Sequence, residues 1–208
     1  MKKVLCLLLT FVLLIGMLGC SDESAKQEAQ EAKVLSEEEA KELKDKGWEY
    51  YNTARFAEAI DTWQELYDGG GCDEKFFNNK KNDAEANSIL CQYISLAISE
   101  LRGKLKDPSS LIIYDATITN SYDENYSFTI QFDYGAKNSF GGMVRNTFTS
   151  RKYSLSDADK EVVYQQSKRM LRKDLPEETY RGFWGAPFIT DRYVTAILEG
   201  TITYYNGK

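Results

Sequence analysis

Residues 126–134 read YSFTIQFDY, and their alternation decides the fold. Phe128, Ile130 and Phe132 fall on one side of the run; Thr129, Gln131 and Asp133 fall on the other. Side chains of a strand point to opposite faces in turn, so this is a strand with one buried and one wetted face, as in an antiparallel sheet. Upstream, residues 111–119 are rich in Ile and Thr, and the run SYDEN at 121–125 supplies a turn between the two strands. Downstream, residues 143–153 alternate Val144, Asn146, Phe148 and Ser150 against the opposite set. Before the strands, Leu90, Ile94, Ala97, Leu101 and Leu105 step by three or four and predict a helix over 83–106. Asn82 or Asp83 can cap it, and Asp107-Pro108 ends it. After the strands, Ser156 precedes a helix from 157 to about 173 carrying Val162, Val163, Ser167, Met170 and Leu171. Residues 192–199 suit a short helix stopped by Gly200 and suit a strand equally; 201–205 read as a last short strand. The predicted class is α+β, a long helix packed on a small antiparallel sheet with a further helix, over residues 83–208.

A helical hairpin precedes this part, over 36–68. Ser36-Glu37-Glu38-Glu39 has the spacing of a capping box and opens a helix to about Asn52. A second helix begins near Phe56, carries Ala59, Ile60, Trp63 and Leu66, and stops at Gly69-Gly70-Gly71. Residues 73–82, DEKFFNNKKN, read as a polar loop. The set Gly47, Tyr50, Tyr51, Phe56, Ala59, Ile60 and Trp63 resembles a single tetratricopeptide repeat over residues 40–67. Small Gly47 and Ala59 suit a close helix crossing, and the rings fill the groove. No second copy follows at the repeat offset, where Lys81 stands in place of the glycine. A lone unit cannot bury a continuous core. It must pack on the following domain, a second copy of the chain or a partner. The resemblance implies peptide or protein binding; a purely structural hairpin is the other reading.

The first twenty residues are MKKVLCLLLTFVLLIGMLGC. Lys2 and Lys3 precede an apolar run at 4–15, the length of a signal-peptide core and short for a membrane span. The run ends in Met17-Leu18-Gly19-Cys20, which resembles the lipobox of bacterial lipoproteins. That resemblance implies removal of residues 1–19, acylation of Cys20 and anchoring at the extracytoplasmic face of the cell membrane. Residues 20–35 then form a lipidated tether; their Ala, Glu, Lys and Gln also suit a helical extension. The chain has 26 Lys and Arg against 32 Asp and Glu, and loss of Lys2 and Lys3 with no acid leaves 24 against 32, a net of −8. Such a body does not suit nucleic acid; anionic lipid headgroups repel it, and lipid, not charge, would hold it at a membrane.

Two further stretches, 105–110 (LKDPSS) and 134–145 (YGAKNSFGGMVR), resemble a small domain of uncharacterised exported proteins of Gram-positive bacteria. That resemblance spans roughly residues 95–155 and implies a helix on an antiparallel sheet without a nameable activity.

The chain holds no histidine, which removes His-based triads and His-bearing zinc sites. No cofactor and no metal is expected. With Cys20 acylated, Cys72 and Cys91 can form a disulfide, closing a loop worth about 3 kcal/mol on the entropy argument; two unpaired thiols are the alternative. The glycine-rich 135–142 matches no phosphate loop. It reads as a strand connection, or as a loop in which Asn138 and Arg145 meet a polar ligand. Arg181 and Trp184, within RGFWGAPF at 181–188, are candidates for a glycan or peptide surface, or for a lid on the core. Asp115, Asp123, Glu124, Asp133 and Asp157 include no pair singled out by spacing. The expectation is a non-enzymatic, lipid-anchored protein that binds a protein or cell-wall glycan. A carboxylate-dependent wall hydrolase and a purely structural envelope protein are the rivals. The hydrolase needs two acids facing one cleft.

Overall fold

The computed structural model describes residues 34–120, 125–171 and 191–205. Cys20, the signal segment, the tether up to residue 33, the turn at 121–124, and Arg181 and Trp184 lie outside the described residues; Leu35, at the end of the tether, donates its N–H to the Gly69 carbonyl at 3.0 Å. The fold is α+β: five helices and one three-stranded antiparallel sheet among the described residues.

Helix α1 is Glu37–Asn52 and α2 is Phe56–Asp68. Ser36 starts α1 as expected: its hydroxyl accepts from the Glu39 N–H at 3.2 Å, and its own N–H donates to the Glu39 carboxylate at 2.9 Å. Three residues link the helices, with Ala54 in the left-handed region at φ 59°. The two helices close on Trp63, which is fully buried. Its ring meets Trp48 edge-on at 5.6 Å and Tyr51 at 5.8 Å. Gly47 is buried because the Trp63 indole lies directly on it; a Cβ there would collide with Nε1 and Cδ1.

Helix α3, Glu74–Lys104, is 31 residues long, about 46 Å. It begins nine residues before the expected start. Asp73 accepts from the Phe76 N–H at 2.6 Å and caps it, and Phe77 is buried with its ring stacked on Tyr67 at 5.3 Å. The stretch that read as a polar loop is therefore helical, because two phenylalanines among its polar residues dock on the hairpin.

A 3₁₀ turn, Pro108–Ser110, leads into β1 (Ile112–Asn120), β2 (Phe128–Lys137) and β3 (Met143–Thr149), paired in that order. The β1–β2 register slips at Tyr114. Strand β3 stops earlier than expected because the Ser150 hydroxyl accepts the Ile130 N–H at 2.9 Å, ending the regular ladder; Tyr153 makes a separate bridge to Phe128. Helices α4 (Asp157–Leu171) and α5 (Asp191–Glu199) follow. The ambiguous 192–199 is thus helical. Residues 201–205 form no strand of the sheet. Thr203 instead makes one parallel bridge to Arg55: the Phe56 N–H donates to its carbonyl at 3.1 Å, and its own N–H donates to the Ala54 carbonyl at 3.2 Å.

The described residues all fall in one unit, which contains both hydrophobic clusters. The first packs Leu90, Ile94, Ile98 and Leu101 of α3 onto Phe128, Ile130 and Phe132 of β2, with Val163 and Val194 at the sides. The second packs Phe56, Ile60, Trp63 and Leu66 onto Phe77, Ala84 and Cys91 of α3 and Tyr193 of α5. The hairpin and the sheet layer share α3, so nothing separates them at residues 69–82. The repeat-like groove is filled by the chain's own helices.

Overfilling a packed crossing costs about 1–3 kcal/mol. Gly47→Ala is expected to lower the thermal midpoint by several degrees. Gly103→Ala, where a Cβ meets nothing within 4 Å, is expected to leave it unchanged or raise it slightly. Melting curves of the two variants check the pair.

Candidate functional site

Three residues of α3 at steps of four and three, Glu85, Ile89 and Gln92, share one face of the helix. They look onto Ala158, Asp159 and Val162 of α4, with Tyr205 closing one side, around a cleft of about 400 Å³. Helix α4 is held beside α3 by polar ties. The Arg169 guanidinium bonds Asn82 Oδ1 at 2.9 Å and pairs with Asp83, and the Asn82 amide donates to the Val162 carbonyl at 3.1 Å. Ser156 starts α4 by accepting from the Asp159 N–H at 3.2 Å, which sets the Asp159 side chain in its first turn. The Tyr205 N–H donates to Ser88 Oγ at 2.9 Å and seats the C-terminal segment along α3.

Ile89 and Val162 give the cleft an apolar floor, and its polar groups are under-used. Glu85 has one ion pair, to Lys81 at 3.9 Å, long for a strong bond. Lys81 also stands 5.8 Å over the Tyr205 ring. Burial pushes the Glu85 carboxyl above its ordinary value, and Lys81 only partly opposes it. Among the described residues the Gln92 amide and the Asp159 carboxylate make no side-chain hydrogen bond. A ligand rich in hydroxyl or amine donors would satisfy all three groups.

Of the residues offered by the sequence as ligand contacts, Asn138 and Arg145 are engaged within the chain, and Arg181 and Trp184 lie outside the described residues. Asn138 builds the β2–β3 turn: its side-chain oxygen accepts from the Phe140 N–H at 2.9 Å and the Gly142 N–H at 3.0 Å. Gly141 takes φ +81° there. Arg145 forks onto Asp133, with Nε 3.0 Å from Oδ1, and its guanidinium lies 4.9 Å over the Tyr114 ring. That fork holds the Asp133 carboxyl below the usual range. Asp115 lies opposite Asp133 across the strands, and Asp157 bonds Lys160. None of these five residues lines the cleft between α3 and α4.

The expected disulfide does not form: Cys72 and Cys91 are free thiols. Cys72 precedes α3, and Cys91 lies 17 residues beyond the start of the helix, about 25 Å along its axis. A disulfide needs Cα atoms about 4.4–6.8 Å apart. Burial raises both thiols, Cys91 by far the more.

Comparison of the chain with protein-family profiles, curated proteins and solved structures returns no match.

Two outcomes follow from this geometry. Thiol labelling of the folded chain with peptide mapping should modify Cys72 slowly and Cys91 only after unfolding, with no mass change at either on reduction. The Glu85 carboxyl should titrate above its ordinary 4.5. A group raised in the folded state gives its full contribution below the unfolded value and loses it as pH rises through the folded midpoint. Glu85→Gln should therefore gain stability relative to the parent on going from below pH 4.5 to neutrality. Carbon NMR titration and denaturant melts at several pH values read both.

Proposed function

We propose that the chain is a lipid-anchored, extracytoplasmic, non-enzymatic binding protein that holds a cell-wall component or a protein segment in the cleft between α3 and α4. The lipobox-like Met17-Leu18-Gly19-Cys20 supports the location. The absence of histidine leaves out the commonest nucleophile-activating arrangements. The observation that carries the reading is the convergence of Glu85, Gln92 and Asp159, with unused hydrogen-bonding capacity, on one cleft with an apolar floor. Small-ligand sites combine an apolar wall with a few polar groups that orient the ligand.

Photo-crosslinking of the anchored protein in intact cells, followed by identification of the captured material, tests it. A recurrent wall fragment or protein is expected, lost in Gln92→Ala/Asp159→Asn. With a soluble form of that material, Asp159→Asn alone should weaken binding about tenfold, the scale of one charge-assisted hydrogen bond. Capture that is indifferent to both substitutions would overturn the reading.

One observation favours the hydrolase. Glu85, raised by burial, and Asp159 line the same cleft, and glycoside hydrolysis uses a raised acid with a second carboxylate. Release of soluble fragments from wall material, abolished by both Glu85→Gln and Asp159→Asn, would establish it in place of simple binding.

A further inference from the structure

Eight large apolar side chains are exposed among the described residues, and five of them, Ile112, Tyr114, Phe140, Met143 and Val144, gather at one end of the sheet. The strand register brings them together: Ile112 is opposite Gly135, Val144 opposite Ala136 and Met143 opposite Lys137. Phe140 stands at the tip of the β2–β3 turn and is 97 % exposed. The tip is rigid, because Asn138 accepts from the N–H groups on both sides of Gly141.

The charge at this end is opposite to that of the chain as a whole. Residues 102–114 and 134–146 contain Arg102, Lys104, Lys106, Lys137 and Arg145 against Asp107 alone. The remaining residues carry 21 Lys and Arg against 31 Asp and Glu. The two stretches adjoin in space, since the Lys137 N–H donates to Ser110 Oγ at 2.8 Å. Arg145 is held by Asp133, and Lys104 by Glu100 at 2.9 Å. Arg102, Lys106 and Lys137 have no ion pair among the described residues.

We propose that this end of the sheet docks on an anionic lipid bilayer, with Phe140 inserted at the interface and Lys106 and Lys137 meeting lipid headgroups. An exposed aromatic tip with an apolar collar, and cations that make no ion pair among the described residues, has the make-up of an interfacial anchor. Anionic headgroups attract the cations within a Debye length and repel the acidic remainder, so docking also sets the orientation of the body. The proposal is independent of acylation at Cys20.

Residues 32–208, which hold both cores and lack Cys20, separate the two ideas. The test is co-sedimentation with vesicles of phosphatidylcholine and of a phosphatidylcholine–phosphatidylglycerol mixture. Binding to the mixed vesicles is expected, falling as salt rises. Phe140→Asp should reduce it about tenfold or more, and Lys106→Glu/Lys137→Glu should remove the preference for the anionic lipid. These side chains are exposed, so unchanged melting curves will show that the variants fold. No sedimentation with either vesicle, or sedimentation that Phe140→Asp leaves unchanged, overturns the proposal. If vesicles are not bound but Phe140→Asp abolishes capture of a protein in cells, the tip is a protein-docking surface instead.

Discussion

Everything in this fold depends on α3 burying two faces at once. One face carries Leu90, Ile94, Ile98 and Leu101 and covers the sheet; another carries Phe77, Ala84 and Cys91 and receives the hairpin. A three-stranded sheet has too little apolar area to stand alone, and a two-helix hairpin has less. Joined to adjoining faces of one long helix, each supplies the cover the other lacks. The cleft is a by-product of the same arrangement. It lies where α4 and the C-terminal segment run beside α3 without closing fully upon it.

The parts governed by local pattern were legible in the sequence. Strand alternation around Phe128, Ile130 and Phe132, the capping box at Ser36, and small Gly47 at a close helix crossing filled by rings all appear in the structure. The second face of α3 was not legible. Phe77, Ala84 and Cys91 recur every seven residues, but Lys80, Lys81, Asn82 and Asp83 lie between the first two and make the stretch look like a loop. The missed helix start also explains the disulfide: a loop between Cys72 and Cys91 could have folded back on itself, whereas a helix holds its ends apart.

The candidate site was illegible for a different reason. Glu85 and Asp159 are 74 positions apart, and tertiary contacts set their helices side by side: Arg169 to Asn82 and Asp83, the Asn82 amide to the Val162 carbonyl, and Val163 in the core. No local spacing encodes that. The retrievable signal was weaker: Glu85, Ile89 and Gln92 lie on one helical face that mixes polar with apolar side chains, beside the all-apolar stripe. Conversely, Asn138 looked like a ligand-binding residue because asparagine among glycines serves turns and binding loops alike. Its side-chain oxygen is engaged by the turn it shapes, which presents Phe140 to the surroundings.

The bridge between Arg55 and Thr203 has a consequence for the order of folding. It joins the link of the N-terminal hairpin to a segment nearly 150 residues later in the chain, and Tyr193 of α5 must also arrive before the space beside Phe56 is filled. Contacts at such separation form late and slow the overall reaction. While the chain is still emerging, α1 and α2 can form but their aromatic groove stays open. That open groove is an apolar surface exposed to aggregation until α5 arrives.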